Sequence, residues 1–299
     1  MQITLRQLQI FRAIALTGST TAAALSVPLS QSATSTALAE LERGLQARLF
    51  DRVGKRLLLN DSGRALLPLA LGVLDGARNI ESAFLSRESG LQVDLRLFAS
   101  TTIGNYVLPK LLSSFRALIP AARLDVRIGN TLEAVNAVCE FSTDLGLIEG
   151  PCHAPDVIVK QWFEDELVIV AAPAHPLAKA ARGRKLTIAQ LRHAPWLLRE
   201  PGSGTRETVE LALLPHLLNI QPAMTLGSSE SIKNSVAEGL GVSCLSRSVV
   251  QDLLAAKRLT VLATRLPRLT RQFALVHHRN KTLSAALQSF IRHCEGFAN

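Results

Sequence analysis

Residues 18–49 constrain the fold most strongly, because a proline divides this stretch into two short helices. Pro28 lacks a backbone donor and disfavours helical geometry at the residue before it. We therefore expect one helix to end before Pro28 and a second to begin at Gln31, capped by the hydroxyl of Ser30. The apolar residues of the second helix recur at steps of three and four, which predicts one buried face. These residues are Leu38, Leu41, Leu45 and Leu49.

The opposite face of this second helix is short, polar and almost uncharged. Amide and hydroxyl groups on such a face can hydrogen-bond to base edges when the helix enters a major groove. An ordinary helical hairpin has the same shape, so the shape alone leaves both interpretations open. The residues that this hypothesis assigns to base reading are Gln31, Ser32, Ser35 and Thr36.

The residues of this region resemble the winged helix-turn-helix of LysR-type transcriptional regulators. The similarity is carried by Ser19-x-Thr21-x-Ala23-Ala24, Leu29-Ser30-Gln31-x-Ala33-x-Ser35, Leu41-Glu42-x-x-Leu45 and Leu49-Phe50-Asp51-Arg52. Ser32, Thr34 and Thr36 depart from the proline, valine and arginine that are common in the family, which leaves the operator sequence open. The chain is most similar to a subgroup with a Ser-Gln-Ser-Ala recognition helix and a Gly-Ser-Gly-Thr-Arg loop. The resemblance implies a regulator that binds a double-stranded DNA operator.

Residues 51–60 are predicted to form a hairpin that turns near Gly54 and closes a DNA-binding domain over 1–61. Arg52, Lys55 and Arg56 would then lie at its tip, where a wing contacts DNA phosphates. A solvated surface turn is the alternative interpretation.

Residues 62–87 are predicted to form a longer helix whose apolar residues alternate steps of four and three, the spacing of a coiled coil. The pattern covers less than three heptads, so packing within its own domain is an alternative. In the resembled family this segment is a linker helix that forms antiparallel dimers, followed here by a predicted hinge at 86–90. The linker is therefore assigned to 62–90. The residues predicted to form the dimer contact are Leu66, Val73, Ile80 and Phe84.

From residue 91 onward strands alternate with helices, which predicts parallel sheets covered by helices on both faces. The strands are expected at 93–99, 124–129, 144–149, 157–162, 166–172, 195–199, 223–227, 242–246 and 270–277, and the first helix at 103–118. The resemblance implies a two-lobed effector domain like that of periplasmic binding proteins over 91–299. Lobe I is assigned to 91–163 and 268–299, and lobe II to 164–267. The fold class is thus α/β overall, with an N-terminal all-α winged helix-turn-helix.

Several loops that end a strand and open a helix could converge on the cleft between these lobes. Hydroxyl groups and free N–H groups at helix starts suit a small anion, although serine and threonine cap helices in most proteins. In the resembled family the effector site lies at such loops. Glu149 ends a strand and would oppose some anions unless it is protonated or turned away. The predicted effector-binding residues are Ser100, Thr101, Thr102, Asn130, Thr131, Glu149, Gly202, Ser203, Gly204 and Thr205.

Composition and missing motifs narrow the function further. The net charge of +9 suits an anionic partner, which includes nucleic acid, an anionic membrane and acidic ligands. The sequence contains no GxSxG, HExxH or Walker loop, and its four cysteines show no CxxC spacing. We therefore predict no catalytic residues, no metal and no cofactor. The N-terminus lacks the apolar core of a signal peptide and no apolar run is long enough to span a membrane, which favours a cytoplasmic protein.

The sequence thus predicts a transcriptional regulator that responds to a small anion, either an inorganic oxyanion or a small carboxylate. Its expected partners are operator DNA, the effector and further copies of itself in a dimer or tetramer, with RNA polymerase as a candidate. Two alternatives are a solute-binding protein and an enzyme that handles small anions. The first is opposed by the N-terminal 90 residues, and the second requires a catalytic dyad that the sequence does not offer.

Overall fold

A computed structural model describes residues 3–85 and 93–297 and divides the chain into two compact units. The N-terminal unit consists of Met1–Gln92 with the short segments Cys139–Phe141 and His278–Ser284. The C-terminal unit contains the rest of the chain. The predicted hinge at 86–90 lies outside the described residues.

Three helices at the start of the chain confirm the predicted helix-turn-helix. They are α1 (Leu5–Thr17), α2 (Thr20–Ser26) and α3 (Gln31–Leu45). Ser30 caps α3 by accepting a hydrogen bond from the Ala33 N–H at 3.1 Å. Leu38 and Leu41 of α3 are buried against Phe11 of α1, so the apolar face of α3 packs as predicted. Leu49 also joins this core, although it lies beyond the end of α3.

The predicted hairpin is present as two short antiparallel strands. β1 (Phe50–Val53) pairs with β2 (Arg56–Leu59), and Gly54 between them has a φ of +61°, which glycine adopts without strain. Phe50 is buried and its ring lies 5.5 Å from that of Phe11. The hairpin is therefore anchored on the helical core at one end and exposed at its tip.

Helix α4 (Asp61–Leu85) follows the hairpin and contains Pro68 in its second turn. Ala70 and Leu74 are buried in the core of the N-terminal unit, so this helix packs within the unit along one face. None of the helices within residues 3–85 and 93–297 is long and apolar enough to cross a membrane.

The C-terminal unit is built on one mixed sheet with the strand order β4-β3-β5-β11-β6-β9-β7-β8, and β10 pairs with β6. Its strands are β3 (Asp94–Ser100), β4 (Arg123–Gly129), β5 (Leu145–Glu149), β6 (Val157–Ala171), β7 (Trp196–Arg199), β8 (Pro222–Leu226), β9 (Val242–Ser246), β10 (Thr260–Val261) and β11 (Leu269–His278). The first lobe contains β3, β4, β5 and β11, and the second contains β7, β8 and β9. β6 belongs to both lobes, because its second half pairs with β9.

Helices cover the sheet in both lobes, as the sequence predicted. They are α5 (Thr101–Tyr106), α6 (Leu108–Leu118), α7 (Thr131–Cys139), α8 (Pro176–Ala180), α9 (Ile188–Arg192), α10 (Gly204–Leu217), α11 (Ser229–Ala237), α12 (Arg247–Ala255) and α13 (Ala285–Phe297). Two buried clusters flank the second-lobe sheet, one centred on Trp196 and one on Ile232. The first lobe is packed in part by Phe115 and Phe290, whose rings meet edge to face at 4.9 Å.

The expectation of wholly parallel sheets was wrong. Within each lobe the strands followed by crossover helices are parallel, as in the pairs β3–β4, β3–β5 and β7–β8. The strands that pass between the lobes run the other way, so β11 is antiparallel to β5 and β6 is antiparallel to β9. β6 carries the chain to the second lobe and β11 returns it to the first, so each runs against the parallel strand beside it.

Two predicted element boundaries were also wrong. The strands expected at 157–162 and 166–172 form the single strand β6, which continues through 163–165. Asp165 in this stretch is buried and is hydrogen-bonded by Ser246 and Arg271. The helix expected at 103–118 is divided into α5 and α6 at Val107. Pro109 follows in the first turn of α6, where its missing N–H is tolerated.

Candidate DNA-binding surface and effector site

The residues predicted to read bases lie at the start of α3. Gln31 is exposed, and its Nε2 donates to Ser35 Oγ at 3.0 Å and to Thr20 Oγ1 at 3.2 Å. Ser32 and Thr36 are exposed, and the Ser32 hydroxyl lies 2.9 Å from Ser30 Oγ. This end of α3 therefore presents an amide group held in place by neighbouring hydroxyl groups.

The predicted phosphate contacts lie on the hairpin. Arg52, Lys55 and Arg56 are exposed, and none of the three forms an ion pair with the described residues. A guanidinium or ammonium group without a carboxylate partner keeps its full charge available to a phosphate.

The predicted dimer contacts on α4 differ in their surroundings. Val73 and Ile80 are 50% and 63% exposed, and Leu69 on the same face is 60% exposed. Leu66 is partly buried and packs against the core of its own unit. The side chain of Phe84 lies outside the described residues.

Three of the predicted effector residues, Thr102, Glu149 and Thr205, contact a guanidinium group that the sequence did not single out. Arg271 of β11 has a side chain only 1% exposed, at the point where the two lobes meet. Its Nη1 donates to Thr205 Oγ1 at 2.8 Å, and its Nη2 donates to Thr102 Oγ1 at 3.4 Å. Thr205 begins the second-lobe helix α10 and Thr102 the first-lobe helix α5, so Arg271 joins loops from both lobes.

Two buried carboxylates flank this arginine. Arg271 Nη2 lies 3.0 Å from Glu149 Oε2, and Arg271 Nε donates to Asp165 Oδ2 at 2.8 Å. Glu149 Oε1 also accepts a hydrogen bond from Thr205 at 3.0 Å. Asp165 accepts a further hydrogen bond from Ser246 at 2.7 Å. Burial raises the pKa of Asp165 above its ordinary value, although the charge of Arg271 and these hydrogen bonds act to lower it.

Two polar atoms of this group have no hydrogen-bond partner within the described part of the chain. Ser100 is completely buried, yet its Oγ neither donates nor accepts. Glu149 Oε2 is also buried and makes only its ion contact with Arg271. Buried polar atoms in proteins are usually satisfied, so the unsatisfied Glu149 oxygen beside Arg271 and the unsatisfied Ser100 hydroxyl two residues before Thr102 make this a candidate site for a polar ligand.

A second charged group lies further along the same cleft. Arg199 at the end of β7 donates to both carboxylate oxygens of Glu200 and to Ser229 Oγ at 2.9 Å. Its Nη2 also donates to Thr101 Oγ1 in the first lobe at 3.4 Å. Asn130 of the first lobe donates to Glu200 at 3.3 Å. Burial, the largest single influence, acts to raise the pKa of Glu200, but the hydrogen bonds and charge of Arg199, with further hydrogen bonds from the backbone and Asn130, together leave that pKa below its ordinary value.

The remaining predicted residues bring the two lobes into backbone contact. The Leu132 N–H donates to the Gly202 carbonyl at 3.0 Å, and Gly202 has a φ of +86°. Thr131 Oγ1 donates to the Glu149 carbonyl at 2.8 Å. Gly204 packs so closely that a Cβ there would overlap the same carbonyl oxygen. Ser203 caps α10 by accepting from the Arg206 N–H, so its hydroxyl already has a structural partner.

Both parts of the chain match known protein-family models. Residues 5–64 match the model of the bacterial regulatory helix-turn-helix protein, lysR family, and residues 88–298 match the model of the LysR substrate binding domain. The chain belongs to the LysR family. This LysR regulator is a ligand-responsive, DNA-binding transcriptional regulator and not an enzyme. Within the described residues, no group of three or more His, Cys, Asp or Glu side chains is placed to hold a metal ion.

Known relatives extend over nearly the whole LysR regulator. The HTH-type transcriptional regulator YeiE of Escherichia coli K12 is 48% identical over 295 residues, which cover 99% of this chain and 98% of that one. A full-length OxyR structure from Pseudomonas aeruginosa has a TM-score of 0.72 at 23% identity, covering 100% of this chain and 95% of the other. The Synechocystis PCC6803 CcmR regulatory domain, solved in complex with 2-PG, has a TM-score of 0.62 at 26% identity and covers 70% of this chain and 98% of the other.

Apart from Glu149, the sequence did not single out the charged residues at the candidate effector site of the LysR regulator, which are Asp165, Arg199, Glu200 and Arg271. A signal for two of them was present, because Arg271 alternates with Leu269 and Phe273 on β11, and Asp165 alternates with Leu167 on β6. Side chains two residues apart on a strand point to the same face. A charge in phase with buried apolar residues therefore predicts a buried charge, and opposite charges on two such strands predict an ion pair.

Proposed function

We propose that this LysR regulator senses a small anion, either an inorganic oxyanion or a small carboxylate, in the cleft between the two lobes. The observation that carries the proposal is the buried Arg271, which joins the Thr102 and Thr205 hydroxyl groups of the two lobes, and Ser100, two residues before Thr102, adds a buried hydroxyl without a partner. A guanidinium with adjacent hydroxyl donors matches the charge and hydrogen-bonding needs of an oxyanion. The 2-PG bound by the related CcmR regulatory domain is consistent with a small anionic effector.

The proposed binding residues fall into two groups. Ser100, Thr102 and Thr205 contact the ligand through their hydroxyl groups, and Glu149 lies beside it. Asn130, Thr101 and Thr131 keep the facing loops in register, as do Gly202, Ser203 and Gly204. An effector that touches both lobes binds their closed arrangement better than an open one, which is the differential affinity that a switch requires.

A melting screen over small anions, followed by titration calorimetry, tests the effector site. Ser100→Ala and Thr102→Ala should each weaken binding of the stabilising anion about tenfold, because each removes a hydrogen bond to a charged ligand. Ser113→Ala is the matched control, since Ser113 is an exposed serine of α6 outside the cleft. Unchanged affinity in the Ser100→Ala, Thr102→Ala double variant would show that the effector binds elsewhere.

We propose that Gln31, Ser32, Ser35 and Thr36 read the operator while Arg52, Lys55 and Arg56 contact its phosphates. The exposure of all of these groups except the half-buried Ser35, together with the Gln31 amide held by Ser35, supports the assignment. Gln31→Ala should cost about 1–3 kcal/mol at the specific operator and little on unrelated DNA. Gln9→Ala, at an exposed glutamine of α1, is the control in the same gel-shift series. An unchanged operator footprint for Gln31→Ala would remove that residue from the reading surface.

We further propose that α4 forms the contact between copies of the chain in a dimer or tetramer. The exposed face formed by Leu69, Val73 and Ile80 supports this proposal. Leu66 and Phe84 were assigned to the same contact; Leu66 can contribute only at its margin, because it packs on its own unit. The proposed division is thus a DNA-binding domain at 1–61, a linker at 62–90 and an effector domain at 91–299. RNA polymerase is a further proposed partner in the cytoplasm, because a regulator bound at a promoter acts on that enzyme.

A further inference from the structure

We propose that binding of the effector anion is coupled to uptake of one proton by the carboxylates beside Arg271. The inference rests on the proposed anion site and concerns its regulation by pH. It follows from the charges, the burial and the unsatisfied atoms of that site.

The three charged groups of the site do not sum to a positive charge. Arg271 is the cation, and Glu149 and Asp165 are its two carboxylate partners at 3.0 and 2.8 Å. All three side chains are at most 5% exposed, so water screens their charges little. With every group ionised the formal charge is −1, and a bound monoanion would make it −2.

The other elements packed against Arg271 add no compensating charge. Helices α5 and α10 contribute the Thr102 and Thr205 hydroxyl groups, and β9 contributes Ser246. Cys244 of β9 is also close, but burial raises the pKa of its thiol to about 12, so it remains neutral. The Arg206 guanidinium on α10 is occupied by Glu210 at 2.8 Å and by the Arg199 carbonyl.

An anion that binds Arg271 Nη2 must compete with Glu149 Oε2 for that nitrogen, because its two N–H groups already face Thr102 and Glu149. That oxygen is already 3.0 Å from Nη2 and accepts no hydrogen bond. A proton on one of the two carboxyl groups removes a negative charge that repels the anion. It also supplies an O–H group that can donate a hydrogen bond to the anion. Burial, which raises the pKa of Asp165, helps to keep this proton in the site.

The sign of the effect follows from the balance of protons. The bound state holds one proton more than the free state, so affinity rises as the pH falls. The increase approaches about tenfold per pH unit where the free protein has both carboxylates ionised. It disappears at a pH at which the free protein already carries the proton.

Calorimetry of the full chain with nitrate, sulfate, acetate and glycolate tests the inference, because none of these anions titrates near neutral pH. Protons taken up per bound anion are measured by repeating each titration in buffers of different ionisation enthalpy. We expect uptake of close to one proton and an affinity about tenfold higher at pH 7 than at pH 8. Glu149→Gln should bind the same anion without proton uptake and with little dependence on pH. Glu238→Gln, at an exposed glutamate outside the cleft, should keep the wild-type linkage.

The possible outcomes separate the inference from the function on which it rests. Binding without proton uptake, or full linkage in both Glu149→Gln and Asp165→Asn, would overturn the proton coupling and leave the anion site standing. If no anion bound either the wild type or Glu149→Gln, both the proton coupling and the proposed anion site would be refuted. Asp165→Asn also serves as the second variant if Glu149→Gln does not fold.

Discussion

Replacing Arg271 with methionine should destabilise the C-terminal unit strongly. The substitution keeps most of the apolar stem but removes the cation between two buried carboxylates, which lie 3.0 and 2.8 Å from it. Removing one partner of a buried ion pair costs about 3–5 kcal/mol, because the other charge stays buried and uncompensated. At roughly 2–4 °C per kcal/mol for a unit of this size, the melting temperature should fall by roughly 6–20 °C.

Tryptophan fluorescence makes this melting transition specific to one unit. Both tryptophans of the chain, Trp162 and Trp196, lie in the C-terminal unit, so their signal does not report on the helix-turn-helix. Arg123→Met is the matched control, because Arg123 is exposed on β4 and its loss should change stability by about 0.5 kcal/mol or less. The double variant Arg271→Met, Asp165→Asn should recover part of the lost stability, since it removes one of the stranded carboxylates.

The pH dependence of the Arg271→Met variant gives a second check. Burial raises the pKa of Asp165 in the folded chain, and loss of Arg271 removes an interaction that lowers it. A carboxyl group with a raised pKa binds its proton more tightly in the folded than in the unfolded state, so protonation stabilises the fold. The melting deficit should therefore shrink as the pH falls from about 8 toward the ordinary range of a carboxyl pKa. A melting temperature for Arg271→Met less than about 2 °C below that of the wild type at pH 8 would refute a stabilising role for this buried ion pair.

Three further predictions concern other parts of the chain. Arg52→Ala should weaken binding to all DNA sequences alike and reduce the slope of affinity against salt by about one, as measured by fluorescence anisotropy; an effect confined to one operator would contradict a phosphate contact. Val73→Glu should reduce the assembly mass measured by light scattering, because the new charge must be desolvated across the proposed contact. The control Leu25→Glu, at an 87% exposed leucine, should leave that mass unchanged. Cys244 and Cys294 should resist alkylation of the native protein in mass spectrometry, because burial raises both thiol pKa values to about 12.

The parts of the fold that the sequence predicted depend on local rules. A proline between two apolar patterns marks the turn after α2, and the Ser30 hydroxyl marks the start of α3. Both features act within a few residues, so they can be read without knowledge of the rest of the fold. The hydroxyl groups of Thr102 and Thr205 were found in the same way, because each lies at the start of a helix.

The centre of the proposed effector site could not be predicted by local rules. Arg271 meets Thr102 across 169 residues of chain, and only the antiparallel return of β11 brings the two together. The passage between the lobes also depends on β6 continuing through 163–165, where the sequence predicted a gap between two strands. The buried charges of Arg271 and Asp165 are each tolerated only because the other lies beside it. The pattern of one strand alone is therefore not enough to predict that its charged residue is buried.

The close packing at Gly204 has a consequence for genetics. A side chain at position 204 would overlap the carbonyl oxygen of Glu149 and force apart the start of α10 and the end of β5. Missense alleles at codon 204 should therefore appear as a class in selections for mutants that no longer respond to the effector. Because such alleles alter the signal response and leave the helix-turn-helix intact, their products should still occupy the operator. In a cell that carries both alleles, mixed oligomers should make the mutant phenotype dominant.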